Sequence, residues 1–126
     1  MTRDEIVTRY VAYLDACNRH AWPDLAPFLA DILLVNGRAR TKGEYASDLA
    51  ELVEAFPDYR WELRRAVVDG EWLAVRLRDV GTRTGAFRGA PGDGTHVATD
   101  ELVMYRLVDG VIHEVEGTAD NAPLIG

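Results

Sequence analysis

The feature that most constrains the fold of this chain is a change of hydrophobic pattern at Pro57. Upstream of it, apolar residues recur at helical spacing. Downstream, apolar and polar residues alternate in four segments, at about 59–68, 71–84, 95–108 and 111–118. Asp69-Gly70 and Asp109-Gly110 separate two pairs of these segments, and such dipeptides favour tight β-hairpin turns. Helices followed by an antiparallel meander predict an α+β fold, in which a curved sheet wraps around the helices.

The upstream half of the chain is predicted to contain three helices and one short strand. The first helix spans residues 3–18, and its apolar stripe consists of Ile6, Tyr10, Leu14 and Cys17. A second, short helix covers about 22–31, because Pro23 favours a first helical turn. A strand at 32–35 follows, and a third helix runs over 42–56.

The size and charge of the chain exclude several classes of function. Its 126 residues predict a single domain, residues 1–126, so any pocket must lie within one core. The net charge of -7 repels phosphate backbones, and we expect no nucleic-acid partner.

Cys17 is the only cysteine, which excludes an internal disulfide and a thiolate metal site. The charged residues 1–5 run straight into an amphipathic segment, so we expect no signal peptide, no membrane partner and a cytoplasmic location.

Four groups of residues in the downstream half carry a family resemblance. In chain order they are Phe56-Pro57-Asp58, Gly81-Thr82-Arg83-Thr84-Gly85 with Gly89-Ala90-Pro91, Tyr105 to Ile112, and Asp120 with Leu124-Ile125-Gly126. Together they resemble the SnoaL-like polyketide cyclase (ester cyclase) family of the nuclear transport factor 2-like superfamily. The resemblance implies a cone-shaped, cystatin-like barrel with a deep apolar pocket. It also implies a homodimer or higher homo-oligomer, and acid–base chemistry on a small carbonyl compound.

The residues that transfer protons in the resembling cyclases are different in this chain. Those cyclases use a histidine and an aspartate at the places that Val103 and Gly117 occupy here. The loop position that is usually histidine is Arg83. Catalysis by the family's own residue pair is therefore not expected.

Strand alternation indicates which side chains line the pocket, once the resemblance fixes Val103 as inward-facing. Glu101 then points inward from the same strand, and Asp79 points inward from the preceding one. The same rule and the predicted helix stripe extend the lining to the neighbouring elements. The resemblance adds Asn36, which falls near the place where the superfamily often has a base; its amide can orient a carbonyl group or a water molecule. We expect the ligand to contact eight residues: Leu14, Asn36, Trp61, Leu77, Val103, Tyr105, Val115 and Gly117.

Three residues are candidates for catalysis: Glu101, Asp79 and Tyr10. A carboxylic acid among apolar side chains is desolvated, which raises its pKa and allows general acid or base catalysis near neutral pH. The first helix, at Thr8-Arg9-Tyr10-Val11-Ala12, also resembles the corresponding helix of ketosteroid isomerases in the same superfamily. The resemblance implies that Tyr10 occupies the place of the phenol that donates a hydrogen bond to the substrate oxygen in those enzymes.

Each candidate also has a purely structural interpretation. Glu101 could pair with an arginine at the barrel mouth, or face solvent if a one-residue register shift turned Asp100 inward. Asp79 could be a rim residue, and Tyr10 could be a core aromatic whose hydroxyl reaches the rim. Alternation also places His113 on the inward face. A lone histidine is a poor metal ligand, and no dinucleotide fingerprint is present, so we expect neither a metal nor a cofactor.

Two functions remain open at this point. The first is a cofactor-independent isomerase, cyclase or lyase that uses Glu101 or Asp79 as acid or base on a small hydrophobic carbonyl compound. The alternative is a non-catalytic ligand-binding or accessory domain, because Val103 and Gly117 replace the family's catalytic pair. Fold alone does not decide between them, since one fold carries many activities.

Overall fold

The computed structural model describes residues 1–119 and residue 124. Three residues of the family resemblance, Asp120, Ile125 and Gly126, therefore lie outside the described residues. It contains two α-helices, one 3₁₀ helix and six strands. In chain order they are α1 (Arg3–Asn18), the 3₁₀ helix (Trp22–Phe28), β1 (Leu29–Val35), β2 (Arg38–Thr41), α2 (Lys42–Ala55), β3 (Arg60–Asp69), β4 (Trp72–Arg83), β5 (Thr95–Val108) and β6 (Val111–Ala119). The predicted α+β class is confirmed.

The strands form one mixed sheet in the order β2-β1-β6-β5-β4-β3. All neighbours pair antiparallel except β1 and β6, which are parallel. The meander from β3 to β6 has the boundaries that alternation predicts, to within one or two residues. At the last hairpin, Asp109 and Gly110 both have positive φ, of 52° and 78°, as a two-residue primed turn requires.

Reciprocal side-chain caps fix the first turns of both α-helices. At α2, the Thr41 hydroxyl accepts a hydrogen bond from the Glu44 N–H, and the Glu44 carboxylate accepts one from the Thr41 N–H, at 3.1 and 2.9 Å. Thr2 and Glu5 form the same arrangement at α1. These caps satisfy amide groups that a helix start otherwise leaves without partners, so they define where each helix begins.

Three local features differ from the sequence prediction. The short second helix is a 3₁₀ helix that ends at Phe28 rather than near Asp31, because Pro27 cannot donate a helical hydrogen bond and the next residues join β1. Strand β2, which pairs with β1 across the turn at Asn36, was not predicted. The predicted third helix ends at Ala55, one residue early.

A β-bulge changes the orientation of the first part of β6. Arg106 pairs with Glu114, whereas Leu107 pairs with Ile112, which leaves His113 as an extra residue. Ile112 is therefore buried, while His113 is only partly buried. The prediction that His113 faces inward is wrong for this reason.

The inward faces of β4 and β5 match the alternation closely. Leu73, Val75, Leu77 and Asp79 are buried on β4, as are Val103, Tyr105 and Leu107 on β5. Arg76 and Arg78 lie on the opposite face of β4 and form ion pairs with Asp100. No helix of the described residues is long and apolar enough to cross a membrane.

Candidate functional site

A cavity of about 300 Å³ lies between α1, α2 and the concave face of the sheet. We call it the inner chamber. All eight residues that the sequence predicts as ligand contacts line it, namely Leu14, Asn36, Trp61, Leu77, Val103, Tyr105, Val115 and Gly117. The remaining lining residues are Tyr13, Cys17, Val35, Tyr45, Leu49 and Glu101. The chamber is therefore lined mainly by aliphatic and aromatic side chains, with Glu101 as the only carboxylate among its lining residues.

A second cavity of about 390 Å³ adjoins the first. We call it the outer chamber. Its lining residues are Asp48, Leu49, Glu51, Leu52, Tyr59, Trp61, Asp79, Phe87, Arg88, Glu101 and Leu124. Leu49, Trp61 and Glu101 line both chambers, so these three side chains form the boundary between them.

Asp79 and Glu101 are neighbours on the inward face of the sheet. Asp79 is opposite Thr99 and Glu101 is opposite Leu77, so the two acids are diagonal neighbours across β4 and β5. Diagonal positions lie within reach of long side chains. Asp100 points to the outer face, which confirms the register that turns Glu101 inward. Among the described residues, no lysine or arginine forms an ion pair with Asp79 or Glu101.

The environment of Asp79 favours its neutral, protonated form. The residue is 2% exposed, and Trp61 is its direct partner across β3 and β4. Burial raises the pKa of Asp79 to about 9; the Glu101 carboxylate contributes to the rise, and the Tyr59 hydroxyl acts against it. The cause is physical: a carboxylate that leaves water and faces a second carboxylate is costly to ionise. These effects favour the protonated form of Asp79 at neutral pH.

The five tyrosines of the chain are all buried around the two chambers: Tyr10, Tyr13, Tyr45, Tyr59 and Tyr105. The hydroxyls of Tyr13 and Tyr45 are 2.7 Å apart. Burial is the main cause of raised pKa values at Tyr45, Tyr59 and Tyr105, and the charge of Glu101 adds to each rise. These phenols remain protonated at neutral pH and serve as hydrogen-bond donors.

Tyr10 lies behind the wall of the inner chamber rather than in it. It is fully buried, and its hydroxyl donates to the Tyr105 hydroxyl at 3.4 Å. The two rings are in contact, with centroids 5.0 Å apart. Tyr105 itself lines the chamber. Any effect of Tyr10 on a ligand would therefore act through Tyr105.

Asn36 holds the junction between β1 and β6 at the chamber wall. It has a positive φ of 49°, its N–H donates to the Val115 carbonyl, and its Oδ1 accepts from the Gly117 N–H at 2.9 Å. The amide nitrogen Nδ2 is the part of this side chain that remains available to a ligand. Asn36 thus combines a structural hydrogen bond with a position in the cavity.

Val103 and Gly117 are directly opposite each other on β5 and β6. A Cβ atom added to Gly117 would lie 3.7 Å from Val103, in ordinary van der Waals contact. The positions of the family's catalytic pair therefore form a single apolar patch on the wall of the inner chamber. No proton donor or acceptor is present in that patch.

Sequence reasoning missed several residues of the site. Tyr13, Tyr45 and Tyr59 were not predicted to lie there. Cys17 lines the inner chamber, but burial raises the pKa of its thiol to about 12, so it is not a nucleophile at neutral pH. Within the described residues, no group of three His, Cys, Asp or Glu side chains could hold a metal ion.

Arg83 anchors one wall of the outer chamber. Its buried guanidinium donates to the Pro91 carbonyl at 2.8 Å and to the Leu124 carbonyl at 2.8 Å, and it contacts the Asp93 carboxylate at 3.4 Å. Leu124 lines the outer chamber. At the loop position where the family usually has histidine, this chain thus has a residue that fixes the surrounding backbone.

The chain is similar to known proteins in both sequence and fold. The family model described as SnoaL-like polyketide cyclase matches residues 7–125. A solved SnoaL-like polyketide cyclase from Agrobacterium tumefaciens is 30% identical, with 94% of each chain covered and a TM-score of 0.85. No curated protein sequence matches the chain.

Two further solved structures share the fold at lower identity. AclR from Streptomyces galilaeus, a proposed hydroxylase, is 20% identical over 98% of this chain and 94% of its own, with a TM-score of 0.86. IdmH from Streptomyces antibioticus, a proposed polyketide cyclase, is 22% identical over 94% of each chain, with a TM-score of 0.83. The fold is the cone-shaped, nuclear transport factor 2-like α+β fold. The chain belongs to the SnoaL-like polyketide cyclase family.

Proposed function

We propose that this protein is a cofactor-independent acid–base enzyme, an isomerase, cyclase or lyase, that acts on a small hydrophobic carbonyl compound. The observation that carries the proposal is the Asp79–Glu101 carboxyl pair, which lies at the boundary of two cavities without a cationic partner among the described residues. Paired carboxyl groups in an apolar site commonly divide acid and base roles between them. We assign the base to Glu101 and the neutral acid to Asp79.

In this proposal Glu101 removes a proton from the carbon next to the substrate carbonyl. It is the member of the pair that lines both chambers and therefore the one that a ligand in either chamber can contact. Asp79, which is protonated, shares its proton with Glu101 and holds the carboxylate in position. The negative charge that develops on the carbonyl oxygen then requires a hydrogen-bond donor.

The tyrosines of the inner chamber are suited to supply that donor. The hydroxyls of Tyr13 and Tyr45 carry two hydrogens, and their mutual bond uses one of them. Tyr105 accepts from Tyr10 and keeps its own hydrogen available. The donor role predicted for Tyr10 therefore falls to the residues in front of it, with Tyr10 as a positioning residue for Tyr105.

A second candidate function is favoured by one specific observation. Val103 and Gly117 leave the family's catalytic positions without proton-transferring groups, as a non-catalytic ligand-binding or accessory domain would. Under this alternative the inner chamber holds its ligand without turnover. The two functions make opposite predictions for proton exchange in a bound ketone.

The proposal predicts that the protein accelerates hydrogen–deuterium exchange at the methyl group of 2-acetonaphthone in D₂O, measured by NMR. Val103→Phe should fill the inner chamber and lower the exchange rate at least about tenfold, because small cavities discriminate by steric fit. Val11→Phe is the matched control, since Val11 is 47% exposed on α1, and it should leave the rate unchanged. Saturating binding of the ketone with exchange at the buffer rate would favour the non-catalytic alternative.

We further propose that the protein forms a homodimer through the outer face of its sheet. That face exposes Val67, Leu102 and Met104, at 56%, 58% and 42%, and a contiguous apolar patch of this kind is typical of an interaction surface. These three line a shallow groove that also contains Arg65, Arg76 and Glu116. An apolar centre with charges of both signs at its edge can pair with its own copy across a two-fold axis. A cytoplasmic location stays part of the proposal.

Introducing charge on this face should separate the protomers. The double substitution Leu102→Glu and Met104→Glu is expected to convert the protein to a monomer in analytical ultracentrifugation, because each copy would bring two carboxylates to a desolvated interface. Val11→Glu, on the exposed face of α1, is the control and should leave the mass unchanged. A wild-type protein that is monomeric at micromolar concentration would reject the dimer.

A further inference from the structure

The site consists of two chambers of different chemistry. The inner chamber, of about 300 Å³, is lined mainly by aliphatic and tyrosine side chains. The outer chamber, of about 390 Å³, is lined by four acidic residues and one arginine as well as by apolar groups: Asp48, Glu51, Asp79, Glu101 and Arg88. Because the chambers meet at Glu101, a ligand whose reacting carbon lies at that carboxylate can extend into both.

Asp79 provides the outer chamber with an unused hydrogen-bonding atom. Its Oδ1 is buried and has no hydrogen-bond partner among the residues that the structure describes. The whole residue is 2% exposed and lines the outer chamber. A buried oxygen without a partner costs free energy unless something else donates to it. The oxygen is thus a ready acceptor for an O–H or N–H group of a bound molecule.

The charges at the outer chamber favour a neutral ligand group. Asp48 is bound by Arg40, at 2.8 and 2.7 Å to its two carboxylate oxygens, so its charge is compensated. Glu51 and Arg88 contribute opposite charges to the lining. Asp79 itself is held neutral by burial and by Glu101. Because the lining carries charges of both signs, it does not favour either a carboxylate or an ammonium group of a ligand. A neutral hydroxyl or amide group can donate hydrogen bonds to the carboxyl oxygens of the lining.

We propose that the substrate is bipartite: an apolar ring system occupies the inner chamber, and a neutral hydroxyl- or amide-bearing chain extends into the outer chamber, where Asp79 Oδ1 accepts its hydrogen bond. This inference rests on the proposed function for the position of the reacting carbon at Glu101. Its binding component is independent of turnover. Asp79 is then a residue that determines specificity as well as the partner of the base.

The test uses two esters of 3-(2-naphthyl)-3-oxopropanoic acid. The 3-hydroxypropyl and butyl esters have the same number of chain atoms and differ only in a terminal hydroxyl or methyl group. By titration calorimetry, the wild-type protein should bind the hydroxypropyl ester about tenfold more tightly, the upper range for one neutral hydrogen bond. Asp79→Leu should abolish this preference, and Asp79→Asn, which keeps an acceptor oxygen, should retain it.

Leu52→Trp provides a test that leaves Asp79 intact. Leu52 lines the outer chamber and is not part of the inner one, so the larger side chain should weaken both esters and leave the binding of 2-acetonaphthone unchanged. Thermal unfolding would confirm that each variant is folded. Equal affinity of the wild type for the two esters, or a hydroxyl preference that persists in Asp79→Leu, would overturn the inference.

The outcome separates this inference from the proposed function. Exchange of 2-acetonaphthone without a preference between the esters would retain the acid–base function and reject the bipartite substrate. A preference that depends on Asp79, without any exchange, would retain the two-chamber binding site and reject catalysis.

Discussion

Glu101→Gln should lower the rate of proton exchange in 2-acetonaphthone by about 100-fold or more and change the affinity for the ketone less than about threefold. General base catalysis contributes about 10²–10⁴ to a rate, and glutamine keeps the shape of the side chain but cannot accept the proton. The expected effect lies in kcat rather than in binding, because the carboxylate acts in the transition state. NMR exchange rates at saturating ketone, together with calorimetric affinities, measure the two contributions separately.

The neighbouring residue supplies a matched control for this experiment. Asp100 is adjacent in sequence but points to the outer face of the sheet, where it contacts Arg76 and Arg78. Asp100→Asn should therefore leave the exchange rate at the wild-type value. An equal loss in both variants would indicate a general effect of charge or stability. Wild-type exchange in Glu101→Gln would remove Glu101 from the mechanism.

Strand periodicity was sufficient to predict the inward face of the sheet. From β4 to the middle of β5 the paired residues run without a register shift, so a single inward position determines the others. Asp79, Glu101 and Tyr105 were all placed correctly by this rule. It failed at His113, because one extra residue in a bulge reverses the alternation, and nothing in the residue pattern marks that bulge.

The contribution of the helices to the site was less predictable. Tyr10, Tyr13 and Leu14 all face the sheet, but only Tyr13 and Leu14 line the inner chamber. Which of them reaches the cavity depends on the angle and depth at which α1 packs on the sheet. Helical periodicity gives the buried face of a helix, but it does not give that packing geometry. For this reason the proposed hydrogen-bond donors to the substrate oxygen are Tyr105 and the Tyr13–Tyr45 pair, which line the inner chamber, and not Tyr10.

The outer chamber could not be predicted because it depends on contacts between distant segments. Its wall includes Phe87 and Leu124, and the carbonyl of Leu124 accepts a hydrogen bond from Arg83. In the sequence, Arg83 stands out only as a departure from the family's histidine. Its buried position and its three acceptors become apparent only when the loop and the C-terminal segment are placed together.

A second large effect is expected for Asp79→Asn: the free energy of unfolding should depend on pH differently in this variant and in the wild type. An aspartate in an unfolded chain has a pKa near 3.8, whereas burial and Glu101 raise the pKa of Asp79 in the folded protein to about 9. Between these values the folded state binds a proton that the unfolded state has lost. The wild type should therefore lose stability as the pH rises from about 4 to about 9, by up to about 1.4 kcal/mol per pH unit from this group.

Asparagine is neutral at every pH, so the variant should not show this loss. Urea unfolding of both proteins between pH 5 and pH 8.5 should show the stability of Asp79→Asn rising steadily relative to the wild type. Asp58→Asn is the control, and its stability relative to the wild type should stay constant between pH 5 and pH 8.5. Burial tends to raise the pKa of Asp58, but hydrogen bonds from Thr82 outweigh it and lower that pKa, so ionised Asp58 stabilises the wild type above about pH 4 and ceases to do so as the pH falls.

The size of the pH effect also tests the assignment of roles in the carboxyl pair. If Asp79 carries the shared proton, the free energy difference between Asp79→Asn and wild type must increase with pH throughout the neutral range. Parallel stability curves for the two proteins would mean that Asp79 is ionised at neutral pH. It would then compete with Glu101 as the base, and the division of acid and base between them would have to be reversed or abandoned.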